Sequence, residues 1–404
     1  MRNNDVPMKS LVLIGAGHAH AFVLEAFAQH PDPSIAITVV SDSALSAYSG
    51  SVPAWLAGEC TLRETQIDVA ALSHRAGARL ITSPAVALDP TKRQLALANG
   101  EAIHFDVASF NVGSTVRLPE QPFLEKHGKQ TPYLLAMRPL SSLHHRWQAL
   151  REKVDQCPQG STQRVVSVGG GAAGCETLMS VLAQLRQQRS DITWQGTLVS
   201  ASTTLLPDVG RLPRWLTQRA LRRAGVTVLH GVRGQALIAG GVYTSEGELI
   251  DADIVLWATG AVGQPWLQDT ALPLNKRGFI QVNKTLEVAD QPGLFAAGDC
   301  AAFNQSLHSS PRPSSSRSSF PLPKAGVYAV RQGPVLAENL RAACHSEPLI
   351  NWKPPKRVLA LIGTGDGHAI ASRGAIGFSG RWVWEWKKRI DARFIARFNP
   401  PFKH

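Results

Sequence analysis

The chain has 404 residues, 44% hydrophobic and 18% charged, with 42 Lys and Arg against 30 Asp and Glu and a formal charge of +12. That length allows two or three domains with full cores, at roughly 100–200 residues each, and no apolar run reaches the ~18 residues that a spanning helix needs. The cysteines at 60, 157, 175, 300 and 344 form no CxxC or CxxxxC pair, which argues against a metal site or a local redox dithiol and fits reduced cytosolic thiols.

The N-terminus runs from a short polar stretch straight into a strand at residues 11–14. That apolar run ends in a glycine loop, so no signal peptide is expected. The loop reads LVLIGAGHAH, with Gly15 and Gly17 at nucleotide-binding spacing and His20 in the third glycine's place. Such a loop makes a tight turn, lets backbone approach a pyrophosphate and points a helix N-terminus at the anion. A helix over 19–29 and a second strand, IAITVVS, follow. That strand's end usually carries an acid for ribose hydroxyls; here it offers Ser41 and then Asp42.

Residues 48–53, reading YSGSVP, are either a surface turn or a close-approach loop walling a planar ring. Asn99-Gly100 marks a hairpin. A strand from Phe105 leads into a small-residue turn at Gly113, where the main chain can return beside a ligand. Prolines at 119, 122, 132 and 139 mark a linker, and a helix is expected over 140–154.

The second glycine loop is the stronger one. Residues 165–176 read VVSVGGGAAGCE, with Gly169, Gly171 and Gly174 after an apolar strand. Its second strand, TWQGTLVS, ends at Ser200. The halves VVSDSALSAYSG and LVSASTTLLPDVG correspond, a weak internal duplication. Two dinucleotide loops in one chain suggest electron transfer between two dinucleotides. A strand and turn, IVLWATGA, then mirror the Gly113 turn, and GLFAAGDC closes a strand on Gly298 and Asp299. Asp299 is either a helix cap or an acceptor for a polyol hydroxyl. Residues 304–320, NQSLHSSPRPSSSRSSF, are low-complexity and read as a mobile insert. A helix is expected over 325–342. The tail, 381–404, carries Trp382, Trp384 and Trp386 and then KKRIDARFIARF. Read as a helix, it has an apolar stripe and a cationic flank, which either packs on its own domain or docks to a membrane surface or partner. No nucleic-acid module accompanies the basic charge, so nucleic acid is not an expected partner.

These motifs resemble the pyridine nucleotide–disulfide oxidoreductase superfamily, which includes the type II NADH dehydrogenases. More closely, the chain resembles the flavoprotein domain fused to selenophosphate synthetase and its stand-alone relatives. The resemblance rests on YSGSVP at 48–53, LVSAS at 198–202, WATGA at 257–261, PKAGVYAVRQGPVLAENL at 323–340, GTGDGHAIASRG at 363–374 and WEWKKRIDARF at 384–394, and covers about 8–404. It implies an α/β fold of two Rossmann-like dinucleotide-binding domains, glutathione-reductase-like, with a C-terminal α+β domain. The FAD domain is split into 8–118 and 253–330, with an NAD(P) domain at 119–252 inserted and a C-terminal domain at 331–404.

The resemblance also assigns sites. FAD would meet Gly15, Gly17, His18, Ser41, Asp42, Tyr48, Pro53, Val86, Gly113, Gly298 and Asp299. The helix start at Lys324, Ala325 and Gly326 would lie against the flavin N1–C2=O edge. NADH or NADPH would meet Gly169, Gly171, Ala172, Gly174, Glu176, Ser200 and Gly260. No nucleophile is expected, although Lys324 and Glu176 are candidates beside the flavin and nicotinamide. The implied activity is an FAD-dependent NAD(P)H dehydrogenase that reduces a quinone-like or other small acceptor without a redox dithiol. The implied location is cytoplasmic, with the tail a candidate contact with the cytoplasmic face of a membrane. The alternative is a flavin-binding redox sensor with little turnover, motivated by the missing acid at Ser200.

Overall fold

The computed structural model describes residues 8–120, 130–303, 322–355 and 357–399; the expected insert at 304–320 lies outside them. Eight α-helices occur among the described residues: α1 His18–Gln29, α2 Val52–Leu56, α3 Val69–Arg75, α4 Leu143–Asp155, α5 Ala172–Gln188, α6 Arg211–Arg223, α7 Gly326–Cys344 and α8 Arg381–Phe398.

Two all-parallel five-stranded sheets form the body. The first orders its strands Leu294–Ala296, Val107–Phe110, Lys9–Ile14, Ile35–Ser41 and Arg79–Thr82. The second orders Tyr133–Ala136, Ile254–Trp257, Thr162–Val168, Thr193–Ser200 and Val226–His230. Strands covered on both faces must be apolar throughout, and Leu11, Val12, Leu13 and Ile14 are fully buried. In each unit a three-stranded antiparallel meander precedes the strand that returns beside the first. One comprises Ala85–Asp89, Gln94–Leu97 and Ala102–His104; the other comprises Gly234–Ile238, Gly241–Thr244 and Leu249–Asp251. The two units thus repeat one plan.

Ile254–Trp257 pairs within the second sheet, between Tyr133–Ala136 and Thr162–Val168. The sequence reading placed this strand in the returning part of the first unit, at 253–330. A four-residue apolar run has the same appearance in either sheet, and only its register separates them. The crossing between units is a two-residue ladder of Thr115–Val116 on Ala261–Val262.

The C-terminal part is an antiparallel sheet of Ala360–Gly363, Ala369–Arg373 and Ile376–Gly380, followed by α8. Val383 and Trp384 pack with Ala369 and Ala371 on that sheet. Phe398, at the other end of α8, joins the core of the first unit with Phe22 and Phe27. One helix therefore ties the tail to the first unit. No helix among the described residues is long and apolar enough to cross a membrane.

Candidate functional site

The first glycine loop opens onto a cavity of about 350 Å³, within the roughly 300–1,000 Å³ of ligand pockets. Its walls include Gly15, Gly17 and His18 from the loop, Ser41 and Asp42 from the second strand's end, and Asp299 and Gly326. The cavity is built around glycine. Gly15 has φ +87°, and a Cβ on Gly17 would lie 2.3 Å from Asn111 Oδ1.

Asn111 is buried and holds the parts together. Its Oδ1 accepts from the backbone N–H of Ala19 at 3.0 Å and His20 at 3.3 Å, and its Nδ2 donates to the Ala297 carbonyl at 2.7 Å. It satisfies two free amides at the start of α1 and anchors that helix to the Gly298-Asp299 turn. His20 fills the place of the missing glycine. Its Nδ1 donates to the Gly15 carbonyl at 2.5 Å, and its Nε2 accepts from the Ser109 hydroxyl at 2.8 Å. Burial pulls its pKa down to about 4, so the ring is neutral at pH 7. A hydrogen-bonded ring thus stands where a third glycine would let helix and strand close up.

His18 lines the cavity, and burial likewise lowers its pKa to about 4. The Ser49 amide donates to its Nε2 at 3.4 Å. Across the cavity, Arg138 donates to Asp299 at 2.6 Å and to the Ser114 hydroxyl at 2.5 Å. Arg138 stands just after the strand Tyr133–Ala136 of the second sheet, so this ion pair joins the two units.

The structure brings Gly15, Gly17, His18, Ser41, Asp42, Gly113, Asp299 and Gly326 to one cavity. Other expected residues stand elsewhere. Tyr48 stacks on Phe394 of α8 at 4.2 Å, and its neighbour Ser49 reaches the cavity instead. Pro53 is buried in α2, and Val86 is exposed next to the lining Pro84 and Ala85. Gly298 lies behind Asp299, its amide donating to Gln332 at 2.7 Å. Ala325 is the N-cap of α7. Lys324 turns away, donating to the Ala301 carbonyl with its ammonium 3.9 Å from the Phe279 ring centre, and burial lowers its pKa to about 8. The sequence pattern does not single out Asn111, Arg138 or Ser114, and Ser49 enters only as part of the 48–53 close-approach loop; of these, Asn111 carries a signal of its own, as the polar residue closing a buried strand.

On the second unit, Gly169 to Gly171 form the turn and α5 starts at Ala172, which is exposed. A Cβ on Gly174 would lie 1.9 Å from the Gly169 carbonyl oxygen, so helix and turn touch there. Ser200 is buried beneath this turn, its hydroxyl donating to the Ser202 carbonyl at 3.1 Å. Gly260 is exposed beside Arg277. Glu176, on the second turn of α5, accepts the Gly363 amide at 2.6 Å. Burial raises its pKa to about 7, against the opposing pull of Lys387.

The observations fit FAD in the first site: a glycine turn packed so closely on Asn111 that no Cβ fits, a helix N-terminus and a carboxylate on the cavity wall. Comparison with known proteins agrees. Along the sequence, the chain is 28% identical to an NADH dehydrogenase-like protein of Mycobacterium tuberculosis over 252 residues, and this match spans 60% of each chain. In fold it matches the sulfide:quinone oxidoreductase of Aquifex aeolicus with TM-score 0.73 at 15% identity, covering 97% of this chain and 92% of that one. It also matches NDH2 of Plasmodium falciparum, solved in complex with NADH, with TM-score 0.73 at 12% identity, covering 97% and 98%. The family model described as "Pyridine nucleotide-disulphide oxidoreductase" matches residues 9–333, and the chain belongs to that family of FAD-dependent, NAD(P)H-using oxidoreductases.

Proposed function

We propose that the protein is an NAD(P)H dehydrogenase of the type II kind, passing electrons from a nicotinamide to a quinone-like acceptor without a redox dithiol. The observation that carries this reading is the pairing of one glycine-cradled cavity on the first sheet with a second glycine turn on a matching sheet. FAD, when bound, supplies the hydride acceptor and the onward electron route. The chain supplies placement. Gly15, Gly17 and the start of α1 present amides to a pyrophosphate. Asp299 faces the cavity, held by Arg138 of the other unit. Gly326, at the start of α7, presents a positive dipole end to it, which favours charge gained on reduction. The proposed domain plan is the split FAD domain with the nucleotide domain inserted, its boundary moved to include Ile254–Trp257.

The cysteines support the dithiol-free reading. Cys300 is buried behind Asp299, and burial raises its thiol pKa to about 11, which makes it a poor nucleophile.

The acceptor side is proposed at a membrane surface. Ile376, Phe378, Trp382, Trp386 and Ile390 are exposed on one face of the C-terminal part, where Trp382 stacks on Trp386 at 6.5 Å. Arg381, Lys388, Arg389 and Arg393 stand among them in sequence. Exposed tryptophans with basic neighbours suit an anionic bilayer interface. Sedimentation with anionic vesicles tests this: Trp382→Ser with Trp386→Ser should reduce binding at least tenfold, and unchanged binding would exclude this face. Reduction of bound FAD by NADH or NADPH under nitrogen tests the activity. Stable flavin binding without reduction would favour the sensor reading instead.

A further inference from the structure

We infer that the nucleotide site selects NADPH, through a 2′-phosphate pocket formed by the Ser202–Thr204 loop, His230 and Arg233. This rests on the reading of Gly169–Gly174 as the nicotinamide dinucleotide loop. In such units the end of the second strand meets the adenosine ribose. An acid there binds the 2′-hydroxyl of NAD, and a cation nearby accommodates the 2′-phosphate of NADP.

Here that strand is Thr193–Ser200, and no acid stands at its end or in the four residues that follow. The chain packs this corner closely. A Cβ on Gly170 would lie 2.2 Å from the Ser200 hydroxyl oxygen, and the Leu206 amide donates to the Gly170 carbonyl at 3.0 Å. Ser200, Leu205 and Leu206, which flank the exposed 201–204 loop, therefore sit against the glycine turn. Ser200 is buried and its hydroxyl is spent on Ser202. Ala201, Ser202, Thr203 and Thr204 are exposed, so Ser202, Thr203 and Thr204 offer three hydroxyls at the corner.

The guanidinium and the imidazole come from the neighbouring strand and the turn after it. His230 is the register partner of Ser200. The Gly231 amide donates to the Ser202 carbonyl at 3.3 Å, and the Val232 amide donates to the Ser200 carbonyl at 3.0 Å. Residues 230–232 thus run directly alongside 200–202, and Arg233 follows them, its carbonyl accepting from the Ser245 amide at 3.0 Å. His230 and Arg233 are both exposed, and neither side chain hydrogen-bonds or pairs with a described residue. The nearest acid along the loop is Asp208, which adds to the upward push that burial gives the Tyr328 phenol of α7. An unpaired guanidinium and an imidazole beside three hydroxyls, with no carboxylate among them, suit a phosphate dianion and leave a ribose hydroxyl of NADH without the usual acceptor.

The test uses the purified FAD-bound protein. Calorimetric titration with adenosine 2′,5′-bisphosphate and with adenosine 5′-monophosphate isolates the 2′-phosphate and needs no turnover. Anaerobic flavin reduction by NADPH and NADH then reads the same preference in the reaction. We expect at least tenfold tighter binding of the bisphosphate, weakening with salt, and a tenfold or greater preference for NADPH. His230→Ala with Arg233→Ala should bring both ratios close to one, and Ala201→Glu should reverse them. Equal binding of the two adenosine nucleotides, or ratios indifferent to these three substitutions, would overturn the inference. Flavin that is reduced faster by NADH would also overturn it while leaving the dehydrogenase reading intact. Flavin that neither nucleotide reduces would defeat the dehydrogenase reading, and the calorimetric ratio would still decide the phosphate pocket.

Discussion

Lys387→Met is the perturbation with the clearest expected outcome away from the glycine loops. Lys387 lies on the inner face of α8, its side chain 4% exposed, and pairs with Asp391 at 2.7 Å, whose side chain is 13% exposed. Its ammonium also donates to the Gly50 carbonyl, in the loop that places Ser49 on the cavity. Asp391 and burial together push the Tyr48 hydroxyl well above the usual tyrosine range, with burial the larger cause. Removing the ammonium strands a buried carboxylate and frees the loop's carbonyl. Breaking a buried pair in this way costs about 3–5 kcal/mol. Low exposure leaves little solvent screening to reduce that figure. The assay is urea unfolding of the FAD-bound protein together with the FAD dissociation rate. Lys387→Met and Asp391→Asn should each lose stability on that scale and release FAD at least tenfold faster. Lys387→Met with Asp391→Leu should recover most of the stability, because an apolar pair of similar size leaves no orphan charge. A loss below about 1 kcal/mol, the size of a surface pair, would refute the reasoning, as would a double variant no better than either single one.

Other outcomes follow from the same geometry. Gly17→Ala drives a methyl into Asn111, 2.3 Å from its Oδ1, and the purified protein should be colourless because FAD is not retained. Arg138→Met leaves Asp299 without its ion pair; FAD affinity should fall about tenfold or more, read by flavin fluorescence on dilution, with near-normal folding by circular dichroism. Glu176 titrates at about 7 when folded against an ordinary 4.5, because burial favours its neutral form. Its contribution is therefore full below about 4.5 and is lost as pH rises through about 7. Glu176→Gln should gain about 3 kcal/mol relative to the parent between those limits, at 1.36 kcal/mol per pKa unit; a pH-independent difference in urea midpoints would count against this. His20→Gly restores the family's third glycine yet removes two hydrogen bonds and a buried ring. It should destabilise by about 2 kcal/mol or more, although the loop pattern alone would rate it harmless.

How much of this was legible in the sequence depended on distance along the chain. Local signals carried well. The glycine spacing gave both turns, and the apolar runs ending at Ser41 and Ser200 are strands with those ends. The Asn99-Gly100 hairpin is present between Gln94–Leu97 and Ala102–His104. The features that pattern could not supply are made by partners far apart. Asn111 acts through contacts 92 and 186 residues away, and Arg138 meets Asp299 across 161. Neither residue belongs to a periodic pattern or a glycine motif. His20 read as a defect because its partners, Gly15 and Ser109, assemble only when strand and loop fold together. The tail was read as a helix with two candidate roles. The helix shows both an inner face packed on the first unit and an outer face of exposed tryptophans.

In the proposed reaction the two glycine loops serve one electron path. Anaerobic stopped-flow mixing of the FAD-bound protein with NADPH, and separately with NADH, measures that path directly. The account predicts rapid bleaching of the visible flavin band, abolished by Gly174→Val, which closes the second loop without touching the first. A protein that takes up no FAD, or whose bound flavin stays oxidised with both nucleotides, would contradict it.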